Sequence, residues 1–247
     1  MALPDDPGAA DALGSAWDHA IEEGIDDVVR PILPTWSRPP RLRGKNCDRW
    51  FSEGIDLFLV DVKNIRPGES LGMGSGHDFK NWLRSKFFKK DGFPQIESTL
   101  VELDRAGHRF GARKLRRFRA IWPIVLCWTH MPGHPHVTDL LQRIRDERPS
   151  EVPETLRTRM RPPLILDYDT FFRVLSCLPA LRARGVTLGE AVDGYLSLRV
   201  ERPLNLAEYL IHLAPEAIMP PEMIDVMRAA LDAVKLIGES MKSTESP

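Results

Sequence analysis

The order of apolar and polar residues predicts a chain in which helices and short strands alternate. Apolar residues at near-helical spacing predict a first helix over 16–33, and two adjacent prolines then end any helix. Residues 45–51 alternate in part, residues 52–54 have turn character, and residues 55–62 are apolar apart from two aspartates. This order predicts a strand, a tight turn and a second, buried strand.

The middle of the chain predicts the rest of an α/β core. An apolar run over 121–128 predicts a central strand, and residues 164–166 predict a last short one. Because a helix separates the central strand from the hairpin, we expect the two to pair in parallel. Helices are predicted over 78–88, 94–106 and 137–147, with a further helix from Asp169 onward.

The last third of the chain shows only helical spacing, which predicts helices over 187–198, 205–213 and 221–238. The fold class expected is therefore α/β, with a central mixed sheet flanked by helices and a C-terminal helical subdomain. The predicted divisions are a disordered N-terminus over 1–15, a core over 16–180, a helical subdomain over 184–241 and a disordered tail over 242–247.

Charge is distributed unevenly, although the formal net charge is only −1. Between Lys80 and Arg119 there are 12 Lys/Arg and 4 Asp/Glu, which leaves +8 on that segment and −9 on the remainder. A basic segment with aromatic residues among its cations suits nucleic acid, whereas the alternative is a solvated helix face. The cations predicted to contact phosphates are Lys86, Lys89, Lys90, Arg113, Lys114, Arg116, Arg117 and Arg119.

The three cysteines are widely spaced and odd in number, which is not a disulfide framework and is typical of a reducing compartment. The first residues lack the basic and apolar regions of a signal peptide. No apolar run approaches the roughly 20 residues that a membrane span needs. We therefore expect a cytoplasmic protein with no membrane contact.

An aspartate, a tight turn and an apolar strand ending in Asp-Val-Lys form the most informative stretch of the chain. Asp61 and Lys63 are two residues apart, so their side chains share one face of the second strand. A hairpin brings Asp48 to the same end of the sheet. Two carboxylates that converge in this way need a cation between them, and hard oxygen ligands suit Mg²⁺ or Mn²⁺.

This stretch resembles the PD-(D/E)xK nuclease superfamily, in which an Asp precedes an apolar strand that ends in (D/E)xK. The resemblance covers about residues 16–175 and implies a restriction-endonuclease-like core. It assigns a catalytic role to Gln95 on the following helix. It also places an acid on the preceding helix, which Glu22 or Glu23 could supply, and we take Glu23 as the third metal ligand. Cys47 stands where the family often has proline.

The resemblance implies metal-dependent hydrolysis of phosphodiester bonds in nucleic acid, with DNA favoured over RNA. Restriction, phage defence or mobile-element processing would be the setting, and the chain would act as a homodimer or as a subunit of a larger complex. One alternative is a non-catalytic nucleic-acid-binding or scaffold protein on the same fold. Another is that Asp-Val-Lys is a plain strand end with solvated charges. Asp56 competes with Asp48, but no hairpin fits between Asp56 and Asp61.

Overall fold

The computed structural model describes residues 24–40, 42, 46–63, 76–89, 92–127, 134–198 and 205–217. Six strands lie in these ranges: β1 Arg49–Glu53, β2 Asp56–Lys63, β3 Arg109–Phe110, β4 Arg113–Lys114, β5 Ala120–Cys127 and β6 Leu164–Asp167. The helices are α1 Gly76–Phe87, α2 Phe93–Arg105, α3 Pro135–Asp146, α4 Glu154–Arg157, α5 Tyr168–Ala183, α6 Leu188–Ser197 and α7 Leu206–Leu213, with a 3₁₀ turn at Leu115–Arg117.

Four strands form a mixed sheet in the order β1-β2-β5-β6. β1 and β2 make an antiparallel hairpin, and both β2–β5 and β5–β6 pair in parallel. Gly54 has a φ of 56°, a conformation that glycine adopts without steric cost and that lets the hairpin close over two residues. The predicted α/β class, with a mixed sheet flanked by helices, is confirmed.

The two central strands of the sheet carry its largest buried surface. All eight residues of β5 are buried, and so are the first six of β2, which explains why both read as continuous apolar runs. On one face, Leu57 and Leu59 pack in a core cluster with Leu83 of α1, Ile96 of α2 and Leu141 of α3. This first face also carries Asp61 and Lys63, because they continue the same alternation along β2.

The second face of the sheet is covered by aromatic side chains. Phe51 stacks on Phe58 with ring centroids 4.5 Å apart, and Phe58 stacks in turn on Trp122 at 6.1 Å. Trp36 lies 5.9 Å from Phe51 and also 5.9 Å from Phe171 of α5. These rings join the hairpin, the central strand and α5 into one apolar layer.

Helix α6 begins against two buried carboxylates of this second face. The backbone N–H of Leu188 donates to Glu53 at 2.9 Å, and a Cβ placed on Gly189 would lie 2.0 Å from Oδ2 of Asp56. Thr187 and Glu190 form a reciprocal capping box at the same end. Glycine at position 189 therefore permits the close approach that brings the helix N-terminus to the carboxylates.

The described part of the chain falls into two compact units. Residues 35–217 form one unit, which contains every strand and helix named above. Residues 1–34 and 218–247 form the other, of which residues 24–34 are described and residues 24–29 are helical. The predicted helix over 221–238 and both predicted disordered ends lie outside the described residues. None of the helices in the described ranges is long and apolar enough to cross a membrane.

The boundaries of several elements differ from the sequence prediction. β1 begins at Arg49, four residues later than expected, because Asp48 bends and uses its side chain to bond the backbone of the neighbouring strand. The turn comprises residues 54 and 55 instead of 52–54, and β2 extends to Lys63. The β3–β4 hairpin and α4 are additional elements, since both are too short to produce a periodic pattern.

We predict that Gly189→Ala destabilises the protein by about 1–3 kcal/mol, because its Cβ would collide with the buried Asp56 carboxylate. Chemical denaturation would measure the loss. Gly24→Ala is the control, since a Cβ there meets nothing within 4 Å of the described atoms. Equal stability of the two variants would show that α6 can shift away from the sheet at no cost.

Candidate active site

The candidate site lies at the carboxyl end of β2, on the first face of the sheet. Asp61 is fully buried, whereas the side chain of Lys63 is 21% exposed. Lys63 Nζ lies 2.9 Å from Asp61 Oδ2, within ion-pair distance. The ammonium group therefore bridges the buried carboxylate and the surface.

Asp48 reaches the same point from the other strand of the hairpin. Its backbone N–H donates to the Val60 carbonyl at 3.0 Å, and its carboxylate Oδ2 accepts from the Val62 N–H at 2.7 Å. These bonds hold Asp48 against the residues on either side of Asp61. The hairpin thus brings together the two carboxylates that the sequence pattern predicted to converge.

Gln95 joins the group from the first turn of α2. Its amide oxygen accepts from Lys63 Nζ at 3.3 Å, and its amide nitrogen donates to the Asn46 carbonyl. The glutamine thereby links the catalytic lysine candidate to the segment that leads into Asp48. All four residues predicted for catalysis lie within one set of contacts.

Thr99, one helical turn after Gln95, supports the site and was not predicted. The fully buried hydroxyl accepts from the Cys47 N–H at 2.8 Å and donates to the Gln95 carbonyl at 2.8 Å. Together Gln95 and Thr99 hold residues 46 and 47, and hence the position of Asp48. Gln95 and Thr99 are four residues apart, so the sequence shows that they share one face of the helix. It does not show which polar groups of the protein that face contacts.

Burial dominates the electrostatics of Asp61. It raises the pKa of Asp61 to about 8, against the positive charge of Lys63, while the negative charge of Asp48 raises it further. The Lys63 ammonium and the Asp48 carboxylate are its polar neighbours, and no backbone N–H of the described residues donates to either carboxylate oxygen of Asp61. Burial also raises the pKa of the adjacent Cys47 thiol, so this cysteine is a neutral core residue.

The carboxylate oxygens of Asp48 and Asp61 are the kind of ligand that a hard divalent cation prefers. A buried carboxylate to which no backbone N–H of the described residues donates, beside a second carboxylate, offers oxygen atoms that a cation can satisfy. Across the described ranges, however, no group of three or more Asp, Glu, His or Cys residues has the arrangement of a complete metal site. Glu22 and Glu23, considered for the third ligand, lie outside the described residues.

The predicted phosphate-binding residues fall into separate places. Lys86 and Lys89 are exposed near the end of α1, a few residues before α2, and Lys90 lies outside the described residues. The segment from Arg113 to Arg119 lies instead beside the start of β2, because Ala120 pairs with Asp56 while Cys127 pairs with Lys63. This basic segment is therefore at the opposite end of the strand from the carboxylates.

Two of these predicted contacts belong to internal ion pairs. Arg119 makes a bidentate pair with buried Asp56, at 3.1 and 2.7 Å, and Arg116 makes one with Asp104, at 2.8 and 2.7 Å. The hydrogen bond to Asp56 raises the pKa of Arg119, and that to Asp104 raises the pKa of Arg116. Both guanidinium groups thus already have a carboxylate partner within the protein, which a count of charges along the sequence does not reveal.

Comparison of the chain with models of protein families, with curated proteins and with solved structures finds no match. The geometry of the site is therefore the basis for a functional proposal.

We predict that Asp61→Asn makes the protein more stable at neutral and alkaline pH. Between the unfolded pKa of about 3.9 and the folded value of about 8, the folded state holds a proton that the unfolded state releases. Wild-type stability therefore falls as pH rises through this window, by on the order of a few kcal/mol. The amide side chain of the variant does not titrate, so its melting temperature should exceed that of wild type at about pH 8 and approach it near pH 4.

Thermal melts at a series of pH values would measure this difference. The control is Asp139→Asn, because the Asp139 side chain is exposed and its replacement should leave the pH dependence unchanged. Parallel curves for wild type and Asp61→Asn would contradict the protonated state inferred for Asp61.

Proposed function

We propose that the chain is a metal-dependent nuclease of the PD-(D/E)xK type, which hydrolyses phosphodiester bonds in DNA. The observation that carries the proposal is the meeting of Asp48, Asp61, Lys63 and Gln95 at the end of a buried strand. Burial raises the pKa of Asp61 to about 8, and groups with strongly shifted pKa values concentrate at functional sites.

The order of the elements supports the same proposal. A hairpin carries Asp48, Asp61 and Lys63, the next packed helix α2 supplies Gln95, and the chain then returns in β5, parallel to β2. This is the arrangement that the resemblance implies for a restriction-endonuclease-like core. The ligands lie at the carboxyl end of a parallel strand, where sites in α/β sheets commonly form.

The four side chains divide three roles in the proposed reaction. Asp48 and Asp61 would hold Mg²⁺ or Mn²⁺, which when bound supplies polarisation of the phosphate and a lowered pKa for water. Lys63 orients the attacking water and offsets negative charge that develops on the phosphate oxygens. Gln95 fixes the Lys63 ammonium group by accepting its hydrogen bond at 3.3 Å.

The test is cleavage of supercoiled DNA, linear DNA and RNA with Mg²⁺ or Mn²⁺. We predict that Asp61→Ala and Lys63→Ala each lower the cleavage rate by more than about 100-fold, because each removes a group that acts on the reacting atoms. Asp139→Ala, which replaces an exposed aspartate on α3, should retain the wild-type rate.

Metal-dependent cleavage that both site variants abolish would support the proposal and identify the polymer. Cleavage that survives in both would place the active site elsewhere in the chain. Binding of nucleic acid by wild type without any cleavage would favour the non-catalytic alternative, in which the same fold serves as a scaffold.

A further inference from the structure

A cleft of about 670 Å³ lies at the end of the sheet remote from the carboxylates. It is bounded by the β1–β2 turn, the β3–β4 hairpin and the 3₁₀ turn that follows. Among the described residues that line it there is no Asp or Glu, and four are cations: Arg109, Arg113, Lys114 and Arg117. A concave surface with a single sign of charge attracts an anion of complementary charge.

The four cations differ in how far the protein already uses them. Arg113 donates to the Gly54 carbonyl and covers the Phe118 ring at 5.2 Å, and Arg109 donates to the Ala112 carbonyl. Lys114 and Arg117 are exposed, and neither has an ion pair or a side-chain hydrogen bond with the described residues. These last two side chains are therefore available to an external ligand.

The aromatic residues of the cleft show which part of a ligand it can contact. Phe110 is 5% exposed and Phe118 is 1% exposed, so neither ring offers a face on which a base could stack. The cleft presents cationic groups alone, which suit phosphate oxygens and carry no sequence information. A nucleic-acid backbone fits this surface better than its bases do.

The cleft and the carboxylate pair are separated by the length of β2. Asp56 and Lys63 are the first and last residues of this strand, and seven steps of about 3.3 Å place them about 23 Å apart. Duplex DNA rises about 3.4 Å per base pair, so this distance corresponds to about seven base pairs. One duplex can therefore reach both ends of the strand only if it exceeds that length.

We propose that the cleft lined by Arg109, Lys114 and Arg117 is a second contact for the phosphate backbone of duplex DNA, about seven base pairs from the phosphate at Asp48 and Asp61. The inference rests on the proposed nuclease function and adds a minimum substrate length to it. Binding at the cleft is independent of base sequence and decreases with salt.

The experiment compares two double variants that remove the same charge. Lys114→Gln with Arg117→Gln removes the two available cations of the cleft. Arg105→Gln with Arg116→Gln removes two nearby cations that already have partners. Arg105 is paired with Glu102 at 2.7 Å, and Arg116 is paired with Asp104 at 2.7 Å. Fluorescence anisotropy in a Lys63→Ala background, with Mg²⁺ present to hold a phosphate at Asp48 and Asp61 while cleavage is suppressed, would measure the affinity of the full chain for hairpin-closed duplexes of about 5 and about 20 base pairs.

Compared with the parent protein, we expect the cleft variant to bind the long duplex about tenfold more weakly and to show a slope of log affinity against log salt that is smaller by about 2. For the short duplex, which cannot span the two ends, the affinity of the cleft variant should fall by less than about twofold. The paired-cation variant should bind both duplexes as the parent protein does.

Equal losses in the two double variants would overturn the proposal, because net charge alone would then explain binding. An equal loss for the short and the long duplex would overturn the second-contact geometry. A polyglutamate peptide that binds as tightly as the long duplex would assign the cleft to an acidic protein instead. These outcomes are independent of cleavage, so a failure of the catalytic proposal is seen separately in the Asp61→Ala and Lys63→Ala assays.

Discussion

The burial of β2 on both faces is the constraint on which the remaining structure depends. The strand needs helices over the first face and aromatic rings over the second, and β5 must pair with it along its whole length. Each charged residue that the strand contains must then be compensated inside the protein. Asp56 and Asp61 lie near opposite ends of the strand and on opposite faces, and different groups surround their carboxylates.

Asp56 receives full compensation, since Arg119 donates to both of its carboxylate oxygens and α6 begins beside it. Asp61 is equally buried, but it lies beside a second carboxylate, that of Asp48, and no backbone N–H of the described residues donates to it. Burial raises its pKa to about 8 in consequence. The first carboxylate stabilises the junction of hairpin and helix, whereas the second remains able to bind a cation. This contrast within one strand is the physical basis for proposing Asp61 as a metal ligand.

Local geometry explains which features the sequence could predict. The two-residue period of a strand gives Asp61 and Lys63 the same face, and a hairpin then requires Asp48 to lie near them. Gln95 stands in the first turn of the next helix, and its side chain contacts Lys63 as the sequence pattern predicts. The pairing of Arg119 with Asp56 and of Arg116 with Asp104 depends on segments that meet only in the fold, so a count of charges along the sequence does not separate these arginines from unpaired ones. The Thr99 bond to Cys47 spans 52 residues and has no local signal.

The separation of cations from carboxylates follows from the parallel pairing of β2 and β5. A basic segment that precedes β5 must lie at the start of β2, while the (D/E)xK-like residues occupy its end. Cations beside the carboxylates would lower the pKa of Asp61 and compete with a metal ion for its oxygens. At about 23 Å they are beyond the Debye length of about 8 Å at physiological salt, so they can attract a polyanion with little effect on the acid pair. The strand thus holds a cationic surface and a buried carboxylate at opposite ends of one small core.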